Sequence, residues 1–202
     1  MLGYFIDTRN AGLRAFLDRQ REDRLRRIHD MGERLAALGV PVDIAPILAA
    51  AARGKSVGRP QMASALLAAG HVTTRDEAFA RFLEFGGPAF VPRCGARPEE
   101  VITIVHDAGG IASLAHPGIT ERDDRIPALA AAGLDALEVR HSDHDAGTES
   151  RYRAMAREHG LAVSGGSDFH GSGVGHRICA LGVVTLPAED FAALRKRVVG
   201  SR

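Results

Sequence analysis

Three short segments of this 202-residue chain concentrate the side chains that bind metals and move protons. They are Ala115-His116-Pro117-Gly118, Arg140-His141-Ser142-Asp143-His144 and Gly165-Gly166-Ser167-Asp168-Phe169-His170-Gly171. Each follows an apolar run, so each stands where a strand ends. Imidazole with carboxylate suits zinc, manganese or iron, and a donor set without thiolate is a poor copper(I) trap. Asp168 and His170 are two apart, and in extended chain that spacing turns both side chains to one face as an oxygen and a nitrogen donor. One histidine at a strand end is ordinarily a hydrogen-bonded loop residue. Three such ends in series shift the balance to a divalent-metal site, with His116, Asp168 and His170 as candidate ligands. His144 and His141 are candidate ligands or substrate contacts. Glycines at 165, 166, 171, 173 and 175 permit close backbone approach to an anion, but their spacing matches no phosphate loop.

The elements that must position these groups are read from hydrophobic periodicity. After Pro98 the pattern alternates: a helix to Ala108, an apolar run Ile111 to Ala115, a helix around Pro127 to Ala132, then a strand from Ala136 to Val139. A helix from Thr148 to His159, strands over Leu161 to Ser164 and Ile178 to Thr185, and a helix from Pro187 to Val199 complete it. Strands alternating with helices predict parallel βα units, in which chemistry gathers at the C-terminal strand ends.

The first 90 residues read differently. Residues 1–6 form a short apolar strand that begins abruptly. From Arg9 to Leu38 the positions Leu13, Phe16, Leu17, Leu25, Ile28, Met31, Leu35 and Leu38 recur at helical spacing, with Gly39 as the stop. Arginines there alternate with Asp18, Glu22, Asp23, Asp30 and Glu33, as on a solvated face of helical ion pairs. Helices over Asp43 to Ala52, Arg59 to Ala69 and Thr74 to Phe85 follow, Thr74 and Glu77 having capping-box spacing. The last two superficially resemble a helix-turn-helix, although the second offers mainly Arg75 and Arg81 beside Asp76, Glu77 and Glu84.

Composition narrows the functions. With 26 basic and 25 acidic residues the formal charge is +1, which provides no field for holding a phosphate backbone non-specifically, so duplex DNA is not an expected partner. Cys94 and Cys179 are far apart, so no disulfide framework or cysteine zinc site is expected and a reducing cytoplasm fits best. No leader or membrane-spanning run is expected.

Several segments in order resemble the PHP (polymerase and histidinol phosphatase) family of metal-dependent phosphoesterases: Leu2-Gly3-Tyr4-Phe5-Ile6-Asp7, Arg59-Pro60, Gly109 through Pro117, Gly133 through Val139 and Gly165 through Gly171. The resemblance covers nearly the whole chain. It implies an α/β fold, the C-terminal portion of an incomplete (β/α) barrel with an all-helical insertion: a barrel strand remnant over 1–8, the insertion over 9–90 and the βα portion over 91–202. It implies a cluster of about three divalent ions that binds phosphate and activates water, manganese first, with zinc, iron(II) or magnesium as alternatives. The nearest branch acts on nucleotides, as a 3′,5′-bisphosphonucleotide 3′-phosphatase or a 5′-to-3′ exonuclease on short RNA. By motif match Asp168 and His170 are the catalytic and metal residues with His116, and Arg59 is a phosphate contact.

Two departures qualify it. The family's N-terminal His-x-His, its following Asp, a further His, a bridging Glu and a His ahead of the Leu-Gly-Tyr segment have no counterpart, so this chain is expected to be impaired. A start placed too late in a longer enzyme, or a true truncation with open strand edges, would explain it. Gln61 also follows Arg59-Pro60 where related sequences commonly have histidine. The alternatives are a catalytically inactive remnant that binds nucleotide or metal and, further off, a DNA-binding helical module.

Overall fold

The structure is a computed structural model that describes residues 1–169 and 180–200. Two compact units emerge, one of Met1–Arg14 with Ala96–Arg202 and one of Ala15–Gly95.

The first unit is built on a curled four-stranded sheet in the order β1 (Leu2–Tyr4), β2 (Ile111–Leu114), β3 (Ala136–His141), β4 (Ala162–Gly166). β1 runs antiparallel to β2, with Leu2 opposite Ser113, while β2–β3 and β3–β4 are parallel. Parallel neighbours need crossovers, and helices supply them.

In chain order the helices are α1 (Ala11–Ala37), α2 (Ala45–Ala52), α3 (Arg59–Ala68), α4 (Arg75–Ala78), α5 (Pro98–Asp107), α6 (Pro117–Thr120), α7 (Ile126–Ala131), α8 (Ala146–Glu158) and α9 (Ala188–Gly200). Ile102, Ala112, Leu137, Val139, Tyr152, Ala156 and Val163 share one buried cluster of this unit, and Ile111, Ala136, Ala162 and Leu194 share another. The bidentate pair of Arg153 with Asp190, at 2.9 and 2.8 Å, ties α8 to α9. β3 is buried along nearly its whole length, Glu138 and His141 included.

The second unit is helical. Ile28, Met31 and Leu35 of α1 are fully buried with Met62 and Leu66 of α3, and Gly39, at φ 76°, ends the chain's longest helix in the left-handed region. Gln61 has a structural duty, since its Oε1 accepts the Gly58 N–H at 2.8 Å and caps α3.

Two expected elements differ. The helix expected over Thr74 to Phe85 is α-helical only to Ala78 and continues as a π-turn over Phe79–Leu83, closed by the Glu84 N–H on the Phe79 carbonyl at 2.9 Å. The wider turn lets Phe82 and Leu83 both reach the core. The strand expected over Ile178 to Thr185 is not formed in its described part, 180–185. Gly182, at φ 83°, turns the chain there and leaves Leu181 and Val183 exposed. Among the described residues no helix is long and apolar enough to cross a membrane.

Candidate functional site

The site is assembled at the C-terminal ends of β2, β3 and β4. β2 runs out at Leu114, and His116 follows with φ 28° and ψ 60°, a left-handed conformation that costs a non-glycine residue energy. Its backbone N–H donates to Glu138 Oε2 at 2.7 Å, which stabilises the turn into α6. Glu138 is 6% exposed and lies in the middle of β3. On the same face of the sheet the Ser113 and Ser164 hydroxyls meet at 2.7 Å. Burial pushes the Tyr4 phenol up, a hydrogen bond with Ser164 opposes the rise and the Glu138 charge adds to it.

β3 ends at His141 after an irregularity between Glu138 and Arg140. A Cβ on Gly165 of β4 would stand 2.6 Å from the Arg140 carbonyl oxygen, so glycine there permits a close strand-to-strand approach. His141 is buried, its ring centroid 5.6 Å from that of His116 and 5.3 Å from that of His144. His144 donates Nδ1–H to the Val139 carbonyl at 2.8 Å and accepts the Gly118 N–H on Nε2 at 3.3 Å. A Cβ at Gly118 would lie 2.7 Å from that Nε2, so only glycine fits beneath the ring. Tyr152 of α8 stacks on His144 with centroids 5.6 Å apart, and its hydroxyl donates to Asp123 at 2.7 Å. Burial and then the Asp123 carboxylate push this phenol up to about 12.

β4 leads to Asp168, whose Oδ2 lies 3.5 Å from His141 Nε2. Asp168 has φ 50°, in the left-handed region. His170 itself lies outside the described residues.

The folded chain therefore gathers His116, His141, His144 and Asp168 from three strand ends. Imidazole nitrogens and a carboxylate suit a divalent metal, and His116 Nδ1 and His141 Nε2 are both buried with no hydrogen bond among the described residues. Among those residues no group of three or more His, Cys, Asp or Glu is already arranged to hold an ion.

Arg59 lies in the helical unit. Its Nη1 donates to the Leu83 carbonyl at 3.2 Å, and its guanidinium stands 5.8 Å and 5.5 Å from the Phe79 and Phe90 ring centroids. Nearby, Arg27 holds the Val91 carbonyl at 3.0 Å through Nη2, and Arg34 holds that of Phe90 at 2.7 Å. Burial pulls the Arg27 guanidinium below its ordinary range; Asp23 counters this, while Arg93, Arg59 and Arg26 add to the depression.

Sequence reasoning missed Glu138 and Tyr152 beside the histidine rings, and the engagement of Arg27 with the Val91 carbonyl in the helical unit. A carboxylate in the apolar run Ala136-Leu137-Glu138-Val139 was an available signal. Arg27 carried none, because it is one of many arginines on a helix read as a solvated face. That reading holds for Arg21 with Asp18, at 2.6 Å, and for Arg26 with Asp23, at 2.8 Å.

No family model matches the chain. It is 32% identical over 184 residues to the 3′,5′-nucleoside bisphosphate phosphatase of Chromobacterium violaceum, covering 88% of this chain and 64% of that protein. It is 31% identical over 175 residues to the 5′-3′ exoribonuclease Rnm of Salmonella typhimurium, covering 84% of this chain and 59% of that protein. The chain thus spans about three fifths of the length of these curated relatives. A crystal structure of a protein from Bifidobacterium adolescentis, described as a metal-dependent phosphoesterase, superposes with a TM-score of 0.76 at 33% identity, covering 95% of this chain and 68% of that one.

Proposed function

This chain belongs to the PHP family of metal-dependent phosphoesterases, and from that we propose that it hydrolyses phosphate esters of nucleotides. The substrates proposed are the 3′-phosphate of a 3′,5′-bisphosphonucleotide or the 5′ end of a short RNA. The observation that carries the reading is the convergence of His116, His141 and Asp168 at three strand ends, with two buried imidazole nitrogens lacking partners among the described residues.

His116, Asp168 and His170 are the residues proposed to hold divalent metal, with manganese first and zinc, iron(II) or magnesium as alternatives. Bound there, such ions supply Lewis acidity to a phosphoryl oxygen and make water a nucleophile at neutral pH. The chain's own groups do the rest. Glu138 holds the His116 backbone in its strained turn. By the family resemblance Arg59 is proposed as a phosphate contact, since the planar donors of a guanidinium match phosphate oxygens. Both His144 nitrogens are committed within the protein, which supports a packing role for that ring rather than substrate contact.

The test is phosphate release from a 3′,5′-bisphosphonucleotide, and shortening of a 5′-phosphorylated RNA oligomer, by the 202-residue chain with and without Mn²⁺. Manganese-dependent release that falls to background in Asp168→Ala is the expected result. Release indifferent to a chelator and to Asp168→Ala overturns the reading. Metal bound without release, in a chain that melts cooperatively, favours the binding-only alternative.

A further inference from the structure

Two grooves of the helical unit use α2 as a shared wall, and their charges differ. The first, a cavity of about 560 Å³, lies between residues 17–29 of α1 and the end of α2 with the segment 54–57 that follows it. The second, of about 520 Å³, lies between α2 and α3. Both volumes fall within the ~300–1,000 Å³ of small-molecule sites. Among the described residues the first is lined by Arg21, Arg24 and Lys55 and by no carboxylate, whereas the only charged residue lining the second is Asp43. Leu17, Leu25, Leu48 and Val57 give the first groove an apolar floor. Leu17 and Leu25 lie on the apolar stripe of α1, yet they stand outside the buried cluster that takes in Ile28, Met31 and Leu35.

Arg24 Nη1 donates to Ser56 Oγ at 2.9 Å, which holds the guanidinium at the rim and commits one of its N–H donors to a neutral acceptor. Neither Arg24 nor Lys55 forms an ion pair among the described residues, whereas Arg21 is matched by Asp18 at 2.6 Å. A guanidinium already held in place offers its remaining donors to an oxyanion with less side-chain freedom left to lose. We propose that this groove binds a small organic anion with a flat apolar body, an aromatic sulfonate, carboxylate or phosphate, the body resting on the leucines and the anionic group met by Arg24 and Lys55. The Asp43 carboxylate disfavours the same ligand in the neighbouring groove. Neither Arg59 nor any residue of the strand-end cluster lines the first groove, so the inference goes beyond the phosphoesterase reading and stands or falls without it.

The probe is anilinonaphthalene sulfonate, titrated into the metal-free full chain and followed by fluorescence and calorimetry. A single saturable site per chain is the expected result. Ala52→Trp fills the groove from the end of α2 and should weaken binding at least about tenfold, because the enclosed volume is what the apolar body occupies. Ala69→Trp fills the neighbouring groove instead and should leave the affinity within about twofold of wild type. Lys55→Glu should weaken the sulfonate about fivefold by reversing a charge at the rim. Phenylnaphthylamine, the same body without the sulfonate, should bind wild type and Lys55→Glu alike. Ala52, Lys55 and Ala69 are all exposed, so these substitutions leave the core intact. Absence of a saturable site, equal affinity in wild type and Ala52→Trp, weakening by Ala69→Trp, or indifference of the sulfonate to Lys55→Glu overturns the proposal. So does a wild-type dimer that dissociates in Ala52→Trp, which would assign the groove to a second copy of the chain.

Discussion

At the scale of single residues, Glu138 shows how a buried charge can serve a neighbour's backbone. It sits 6% exposed within β3 and accepts the His116 N–H at 2.7 Å. Replacing it by alanine leaves that donor without its acceptor, which costs about 1–3 kcal/mol. Glutamine keeps an oxygen in place, so Glu138→Gln should lose less stability than Glu138→Ala in urea denaturation. Equal losses would mean that charge, not the bond to His116, is what Glu138 contributes. His116 and Asp168 were legible as site residues because their types and their places after apolar runs are local facts. That His141 would lie 3.5 Å from Asp168 was not, because 27 positions of chain separate the two.

At the scale of elements, the start of α4 is held by two adjacent threonines. Thr74 Oγ1 accepts the Glu77 N–H at 3.1 Å, as the capping-box spacing predicts, but the reciprocal bond goes from the Thr73 N–H to Glu77 Oε2 at 2.7 Å. Thr74→Ala should cost about 1 kcal/mol, the usual loss of an N-cap. The Thr73 backbone and hydroxyl, then Arg81, lower the Glu77 carboxyl from an ordinary 4.5 to about 2. A carboxyl lowered by folding contributes stability that is complete above pH 4.5 and is lost as pH falls towards 2. Acid titration of the melting temperature should therefore be flatter between those values in Glu77→Gln than in wild type; superposable curves would remove Glu77 from the acid response. Arg81, paired with Glu77 at 2.6 Å, and Arg75, donating to the Pro60 carbonyl at 3.3 Å, are both engaged within the helical unit.

At the scale of the whole molecule, charge balance makes a prediction that fold does not. A chain with formal charge +1 carries little net attraction for a polyanion, so its retention of a DNA duplex at about 0.15 M salt should be negligible and its salt dependence shallow. A steep slope, of the kind produced by about six to ten phosphate contacts, would restore the DNA-reading alternative. Local clustering is a different matter, since Arg27 feels Arg59 and Arg93 while net charge stays near neutral.

Periodicity and motif order, read without any structure, determined the alternation of β2, β3 and β4 with their helices, the helical character of α1 to α3 and the strand ends that carry histidine. Each depends on residues a few positions apart, where the 2.0 and 3.6 repeats and the caps act. Tertiary structure alone decided the rest. The bond from His116 to Glu138 spans 22 positions, and that from Arg27 to Val91 spans 64. The duty of Gly165 depends on what another strand places beside it. Such choices are made by packing between segments distant in the chain, and a local pattern carries no record of them.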